Sequence, residues 1–186
     1  VGCNVRVIPN FVNLEEYQPD PGASHDAFAP GNHKVITHIS NFREVKRVKD
    51  VVRIFARIRK AMPATLLMVG DGPERRDAEN EAEQLGILAD VRFLGRLDRI
   101  ASLLQASDLF LLPSQSESFG LAALEAMACG VPAVASKVGG LIEVIDDGRS
   151  GILELPGSVE AMGRRAVELL QDPVRYATMV DAVLTQ

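Results

Sequence analysis

Residues 108–136 read D-L-F-L-L-P-S-Q-S-E-S-F-G-L-A-A-L-E-A-M-A-C-G-V-P-A-V-A-S. An apolar run stops at Pro113, a polar loop follows, small and apolar residues continue from about Phe119 to Ala128, Gly130 ends them, and a second apolar run closes at Ser136. The apolar runs are continuous rather than alternating, which is the mark of strands buried on both faces. Glycine just past a helical stretch is the usual stop. The segment is therefore a strand–helix–strand unit, and the strands must run parallel.

The same alternation extends outward. On the amino-terminal side, V-I-T-H-I (35–39) reads as a strand ending near Ser40. A helix follows with Val48, Val51, Val52, Phe55 and Ile58 on one face, and Pro63 stops it. T-L-L-M-V-G (65–70) is a second strand, with a polar helix from Pro73 to about Leu85. V-R-F-L (91–94) is a third strand and Ile100–Ala106 a short helix. On the carboxyl-terminal side come a glycine loop at Val138–Leu141, a short helix, a sixth strand G-I-L-E-L (151–155), and helices over 158–171 and 173–184. The fold class expected is α/β, a Rossmann-like three-layer αβα unit with a parallel sheet of about six strands. Ligands of such sheets bind beyond the carboxyl ends of the strands, at the switch point.

Before this unit the pattern lapses. Residues 14–32 carry Pro19, Pro21, Pro30 and two glycines, the composition of a connection. The chain does not start with Met and opens within the strand-like N-V-R-V-I-P-N (4–10). Residues 1–32 are therefore expected to be the tail of a preceding domain plus a linker, and residues 33–186 one domain. A net charge of −5 disfavours nucleic acid or anionic lipid as a partner held by bulk attraction. Any anion site must be local. Two cysteines, Cys3 and Cys129, make no metal or disulfide framework and suit a reduced, cytoplasmic setting. No apolar run approaches the ~20 residues that span a bilayer.

Three of the strand-end loops carry chemistry. S-N-F-R-E-V-K-R (40–47) places Arg43, Lys46 and Arg47 together against the acidic balance of the chain. Arginine forks and lysine charges suit a diphosphate, and cations at a helix start oppose its dipole unless an anion joins them. V-G-D-G-P (69–73) lacks the dinucleotide spacing, so Gly70 reads equally as a close approach to ligand or as a turn. In the loop after Pro113, Ser116 or Ser118 can cap the helix, and the amides of Phe119, Gly120 and Leu121 would then face the crevice as an anion site. Glu117 and Glu125 flank it as acceptors for sugar or ribose hydroxyls. The alternatives are a favourable N-terminal charge for Glu117 and an ordinary helix position for Glu125, although a carboxylate inside L-A-A-L-E-A-M-A needs a partner. Gly139 and Gly140 either close over a ligand or make a turn. His38, within a strand, reads as a core histidine, and the serines lack the G-x-S-x-G spacing of a hydrolase.

In order, V-I-P-N-F-V, N-F-R-x-V-K-R, V-G-D-G-P-E, S-E-S-F-G-L-A-A-L-E-A-M-A-C-G-V-P-A-V-A-S and V-G-G-L-x-E-V-I resemble the C-terminal, donor-binding domain of retaining glycosyltransferases of family 4, which have the GT-B fold. H-I-S-N-F-R-E-V-K-R-V-K-D-V-V (38–52) is more narrowly similar to the N-acetylglucosaminyl L-malate synthases of bacillithiol biosynthesis. The resemblance implies a UDP-sugar donor, by likeness UDP-N-acetylglucosamine, transferred with retention to a small acceptor such as L-malate. It implies no metal and no other cofactor. It puts Glu117 on donor-sugar hydroxyls, Glu125 on the ribose, and Ser118, Phe119, Gly120 and Leu121 around the sugar and distal phosphate. Arg43 and either Lys46 or Arg47 would hold the diphosphate, with Asn41 and Gly70 beside them and Leu94 near the base. Ser40 and Asn41 stand where the commoner pattern has glycine and arginine. Glu117, Arg43 and Lys46 are the catalytic candidates. The acceptor would bind the N-terminal domain, so residues 33–186 alone are expected to be inactive. A GT-B UDP-sugar isomerase half, or a nucleotide-binding module without transferase activity, is the alternative reading. Whether the chain forms a homo-oligomer is left open.

Overall fold

Burial on both faces is what shapes the sheet. In the computed structural model, which describes residues 10–185, six strands form one sheet: β1 (Lys34–Ile39), β2 (Ala64–Val69), β3 (Val91–Gly95), β4 (Leu109–Leu112), β5 (Ala133–Ser136) and β6 (Gly151–Glu154). Every pairing is parallel and the order is β3-β2-β1-β4-β5-β6. All of β2, β4 and β5 is buried. At the edge, β3 alternates between covered and exposed positions. The strand-like reading of residues 4–8 falls outside the described residues.

Among the described residues, seven α-helices cover this sheet: α1 (Val48–Ala61), α2 (Arg75–Gln84), α3 (Ala101–Gln105), α4 (Leu121–Ala128), α5 (Leu141–Val144), α6 (Val159–Gln171) and α7 (Pro173–Leu184). On one face, Val51, Phe55 and Ile58 of α1, Ala78 of α2 and Met162, Ala166 and Leu169 of α6 pack on Ile36, Leu66, Leu109 and Val134. On the other, Leu104 of α3, Ala123 and Met127 of α4 and Leu141 of α5 pack on Phe110, Leu112, Ala133 and Ala135. Successive strand residues point to opposite faces, so Leu109 and Phe110 serve different cores. Each large apolar side chain buried in this way contributes about 1.5–3 kcal/mol. Helix α7 joins both cores, Met179 one and Val183 the other. Its Tyr176 hydroxyl donates to the Asp108 carbonyl just ahead of β4, which places the helix by the amino-terminal end of that strand.

Among the described residues, the segment before β1 has only a short 3-10 turn at His25–Ala27. It lies against the domain all the same. Ala29 is buried, Tyr17 packs on the α4 core, and His25 Nε2 is 3.2 Å from Asp108 Oδ2. Asp108 also accepts from Lys34 Nζ at 2.7 Å and from the Val35 amide at 2.8 Å.

The strand order reverses between β1 and β4. Their carboxyl ends leave a crevice there, bounded by the loops Ser40–Arg47 and Pro113–Gly120.

Candidate functional site

The first wall of the crevice begins at His38, whose side chain is fully buried in β1. Its Nδ1 meets the Leu111 carbonyl at 2.8 Å and its Nε2 meets Ser40 Oγ at 2.8 Å. A carbonyl only accepts, so Nδ1 carries the proton, and Nε2 accepts from the Ser40 hydroxyl. Burial pushes the imidazole down to about 4, against the opposing hydrogen bond to Leu111. Ser40 Oγ in turn accepts from the Phe42 amide at 3.3 Å. Phe42 is fully buried in a left-handed conformation, φ 39°, rare for a bulky residue. This chain of bonds sets the turn out of β1.

The glycines of V-G-D-G-P brace the same turn from behind. A Cβ on Gly70 would stand 1.7 Å from the Ser40 carbonyl oxygen, and one on Gly72 would stand 2.2 Å from that of Asn41. The close approach left open by the sequence is therefore to protein backbone. Gly70 supports the loop and does not line the crevice.

From Phe42 the chain runs through a 3-10 turn, Glu44–Lys46, and a left-handed Arg47 into α1. Lys46 Nζ donates to Glu117 Oε2 at 2.6 Å across the crevice, with both side chains mostly covered. Arg47 turns away to Asp50 and Gln115. Arg43 is exposed on the same loop, outside the crevice lining.

The second wall is the loop after β4. The helix there starts at Leu121, two residues later than the small-residue pattern suggests, and Gly120 is its N-cap with no side-chain cap. The expected capping by Ser116 or Ser118 is corrected accordingly. The reason lies in packing: Gly120 has φ 92°, and Leu141 sits where its Cβ would be, 2.4 Å away. Gly139 and Gly140 press in likewise, at 1.8 Å from the Glu117 carbonyl oxygen and 2.6 Å from the Phe119 Cα for an added Cβ. That glycine pair carries the loop from beneath. At the start of α4 the Leu121 and Ala122 amides are left without an intrahelical acceptor and form the positive end of its dipole, while the Ala123 amide already donates to the Gly120 carbonyl at 2.9 Å.

The crevice so formed has a volume of about 460 Å3, within the range of small-molecule sites. It gathers Asn41, Lys46, Glu117, Ser118, Phe119, Gly120, Leu121 and Glu125 of the expected residues, and leaves Arg43, Arg47, Gly70 and Leu94 outside its lining. Leu94 lies on the edge strand β3. Asn10, Ile39, Ser40, Leu112 and Ala122 also line it and were not anticipated. Asn10 comes from the connecting segment, and its only signal was its place in V-I-P-N-F-V. Glu125 is half-buried, and its carboxylate makes no hydrogen bond or ion pair among the described residues. Burial, then the nearby Glu16 charge, raises its carboxyl above the usual range. Among the described residues, no group of three or more His, Cys, Asp or Glu is placed to hold a metal ion. No helix among them is long and apolar enough to cross a membrane.

Comparison with known proteins gives these features a context. Residues 23–183 match the family described as glycosyl transferases group 1. The chain is 48% identical over 148 residues to N-acetyl-alpha-D-glucosaminyl L-malate synthase of Bacillus anthracis, covering 80% of this chain and 39% of that protein. It is 35% identical over 182 residues to D-inositol 3-phosphate glycosyltransferase of Rhodococcus opacus strain B4, covering 86% of this chain and 41% of that protein. The chain thus spans about two-fifths of the length of these curated relatives. Among solved structures, HepE of Anabaena in complex with UDP and glucose superposes with TM-score 0.87 at 27% identity, over 97% of this chain and 51% of that one. Sucrose-phosphate synthase of Thermosynechococcus elongatus gives TM-score 0.87 at 28% identity, over 97% and 47%.

Proposed function

Because the chain belongs to the group 1 glycosyl transferases, we propose that it is the donor-binding half of a retaining enzyme that takes a UDP-sugar, UDP-N-acetylglucosamine, and passes the sugar to a small hydroxy acid such as L-malate. The observation that carries the reading is the joining of Lys46 and Glu117 beside the start of α4, at the reversal of strand order. A diphosphate entering there meets the Lys46 ammonium and the free amides of α4. Both act on negative charge in a partly covered site, where such interactions gain strength. They answer the charge that develops on the departing UDP, so the proposed reaction uses no metal. Arg43, exposed on the same loop, adds its guanidinium as the site fills.

The carboxylates sort hydroxyls. Glu117 faces the sugar once the diphosphate has drawn Lys46 away. Glu125, whose carboxylate has no partner among the described residues, accepts from the ribose. Two comparisons support the donor class: HepE is described in complex with UDP and glucose, and the Bacillus anthracis relative is an N-acetylglucosaminyl L-malate synthase. The acceptor and the completed active site belong to the remainder of the longer protein, which we place in the cytoplasm.

Calorimetric titration of the chain with UDP, GDP and ADP tests the donor reading. UDP is expected to bind best; a folded sample that binds none of the three overturns it. Product analysis of the longer protein supplied with UDP-N-acetylglucosamine, with and without L-malate, tests the acceptor.

A further inference from the structure

Arg47 adopts φ 50° and ψ 45°, a conformation disfavoured for any residue with a Cβ. Its side chain shows what holds it there. The guanidinium donates through Nε to Asp50 Oδ2 at 2.6 Å and through Nη1 to Gln115 Oε1 at 2.9 Å. Its Nη2 also lies 2.6 Å from Asp50 Oδ2. The Asp50 side chain is only 5% exposed, and its other oxygen accepts from Arg53 at 3.3 Å. On the far side, Gly157 after β6 approaches so closely that a Cβ would lie 3.1 Å from Nη2. One planar group therefore ties the start of α1 to the loop after β4, and packs beside the turn after β6. The backbone beside it repeats the link: the Gln115 amide donates to the Val45 carbonyl at 2.7 Å.

Lys46 is held between these points. The backbone link fixes Val45, the residue before it, and the guanidinium clamp fixes Arg47, the residue after it. Lysine is a compact charge on a flexible stem and cannot set its own direction as an arginine fork does. We propose that Arg47 is a positioning residue, which by clamping Asp50 and Gln115 in a left-handed conformation aims Lys46 across the crevice at Glu117 and at the diphosphate that displaces it. It acts through Lys46 and does not touch the ligand. The proposal rests on the donor reading and sharpens it, because it removes Arg47 from the diphosphate ligands and, of the adjacent pair, leaves that task to Lys46.

The test is a double-mutant cycle on the chain, with UDP and uridine as probes. Arg47→Gly suits the backbone and deletes the clamp. It is expected to weaken UDP binding by about tenfold and change uridine by less than about twofold, since uridine carries no phosphate. In a Lys46→Ala background the same change should cost nothing more, the signature of two residues acting as one unit. Gln115→Ala cuts one arm only and should produce a smaller loss that likewise vanishes without Lys46. Additive losses would make Arg47 an independent ligand and overturn the proposal, as would equal losses for uridine or an unchanged UDP affinity. Failure of the unmodified chain to bind UDP overturns this proposal and the donor reading together. UDP binding that Arg47→Gly leaves intact overturns this proposal alone.

Discussion

Lys46 Nζ and Glu117 Oε2 stand 2.6 Å apart and link the two loops that flank the reversal of strand order. The pair neutralises charge in a covered place while the site is empty. It also means that a diphosphate must compete with Glu117 for Lys46. Lys46→Ala is expected to weaken UDP binding by about 10- to 100-fold, the loss of a charge-assisted contact worth roughly 1.5–3 kcal/mol. Glu117→Gln should leave UDP affinity equal or tighter, because Lys46 is released, yet reduce sugar transfer by the longer protein. Calorimetry and product formation check the two halves; weaker UDP binding by Glu117→Gln would count against the competition.

Glu125 offers a pH signature. Its carboxyl is raised by burial first and by the Glu16 charge second. A raised carboxyl favours the protonated form in the folded state, so its contribution to stability is full below the unfolded value and is lost as pH rises through the folded one. Glu125→Gln should therefore melt higher than the unmodified chain at pH 7 and equally at pH 4. Solvent screens a half-buried group, so a rise of about 1–2 °C is expected. A melting series from pH 4 to 7 checks this, and a difference that does not grow with pH would refute it.

His38 works in the opposite sense. Its value falls from 6.5 to about 4, so the unfolded chain binds the extra proton first. Its stabilising effect is complete above pH 6.5 and drains away as pH falls toward 4. The loss is on the order of 3 kcal/mol. His38→Gln should show a flatter stability profile in urea between these limits. The variant should also loosen the β1 turn, seen as faster amide exchange at Phe42.

The glycines give a graded comparison. Gly70→Ala places a Cβ 1.7 Å from the Ser40 carbonyl oxygen, whereas Gly86 has nothing within 4 Å. Both have positive φ, so both incur backbone strain, about 1–2 kcal/mol for Gly86 in the left-handed region and at least as much for Gly70 at φ 121°. Only Gly70→Ala should lose substantially more than this and shift UDP binding as well. Equal melting temperatures for the two variants would show that Gly70 is needed for its dihedral alone.

The sheet was legible because burial on both faces writes itself as continuous apolar runs, and β2, β4 and β5 are apolar throughout except at Thr65 and Ser136. The helix starts were harder. Leu121 begins α4 where Phe119 was expected, because Leu141 occupies the space over Gly120, and that neighbour is distant in sequence. The basic loop announced its charge but not the division of labour. Lys46 and Arg47 are adjacent and similar in sequence, and only the left-handed backbone sends one to the crevice and the other to Asp50. Asn10 was hidden because a connecting segment has no periodicity to betray where its side chains go. Glu125 was suspected on the ground that a carboxylate among small apolar residues is costly; it is half-buried, with no side-chain partner among the described residues, and burial raises its carboxyl.

Helix α7 reaches Met179 into one core and Val183 into the other, beside the hydroxyl contact from Tyr176 to Asp108. The sheet would otherwise separate two hydrophobic reservoirs that could melt independently. With α7 seated in both, losing order on either face releases the helix from the other. The two layers are therefore expected to share one thermal transition, the geometry of the crevice persisting or disappearing as a whole rather than wall by wall.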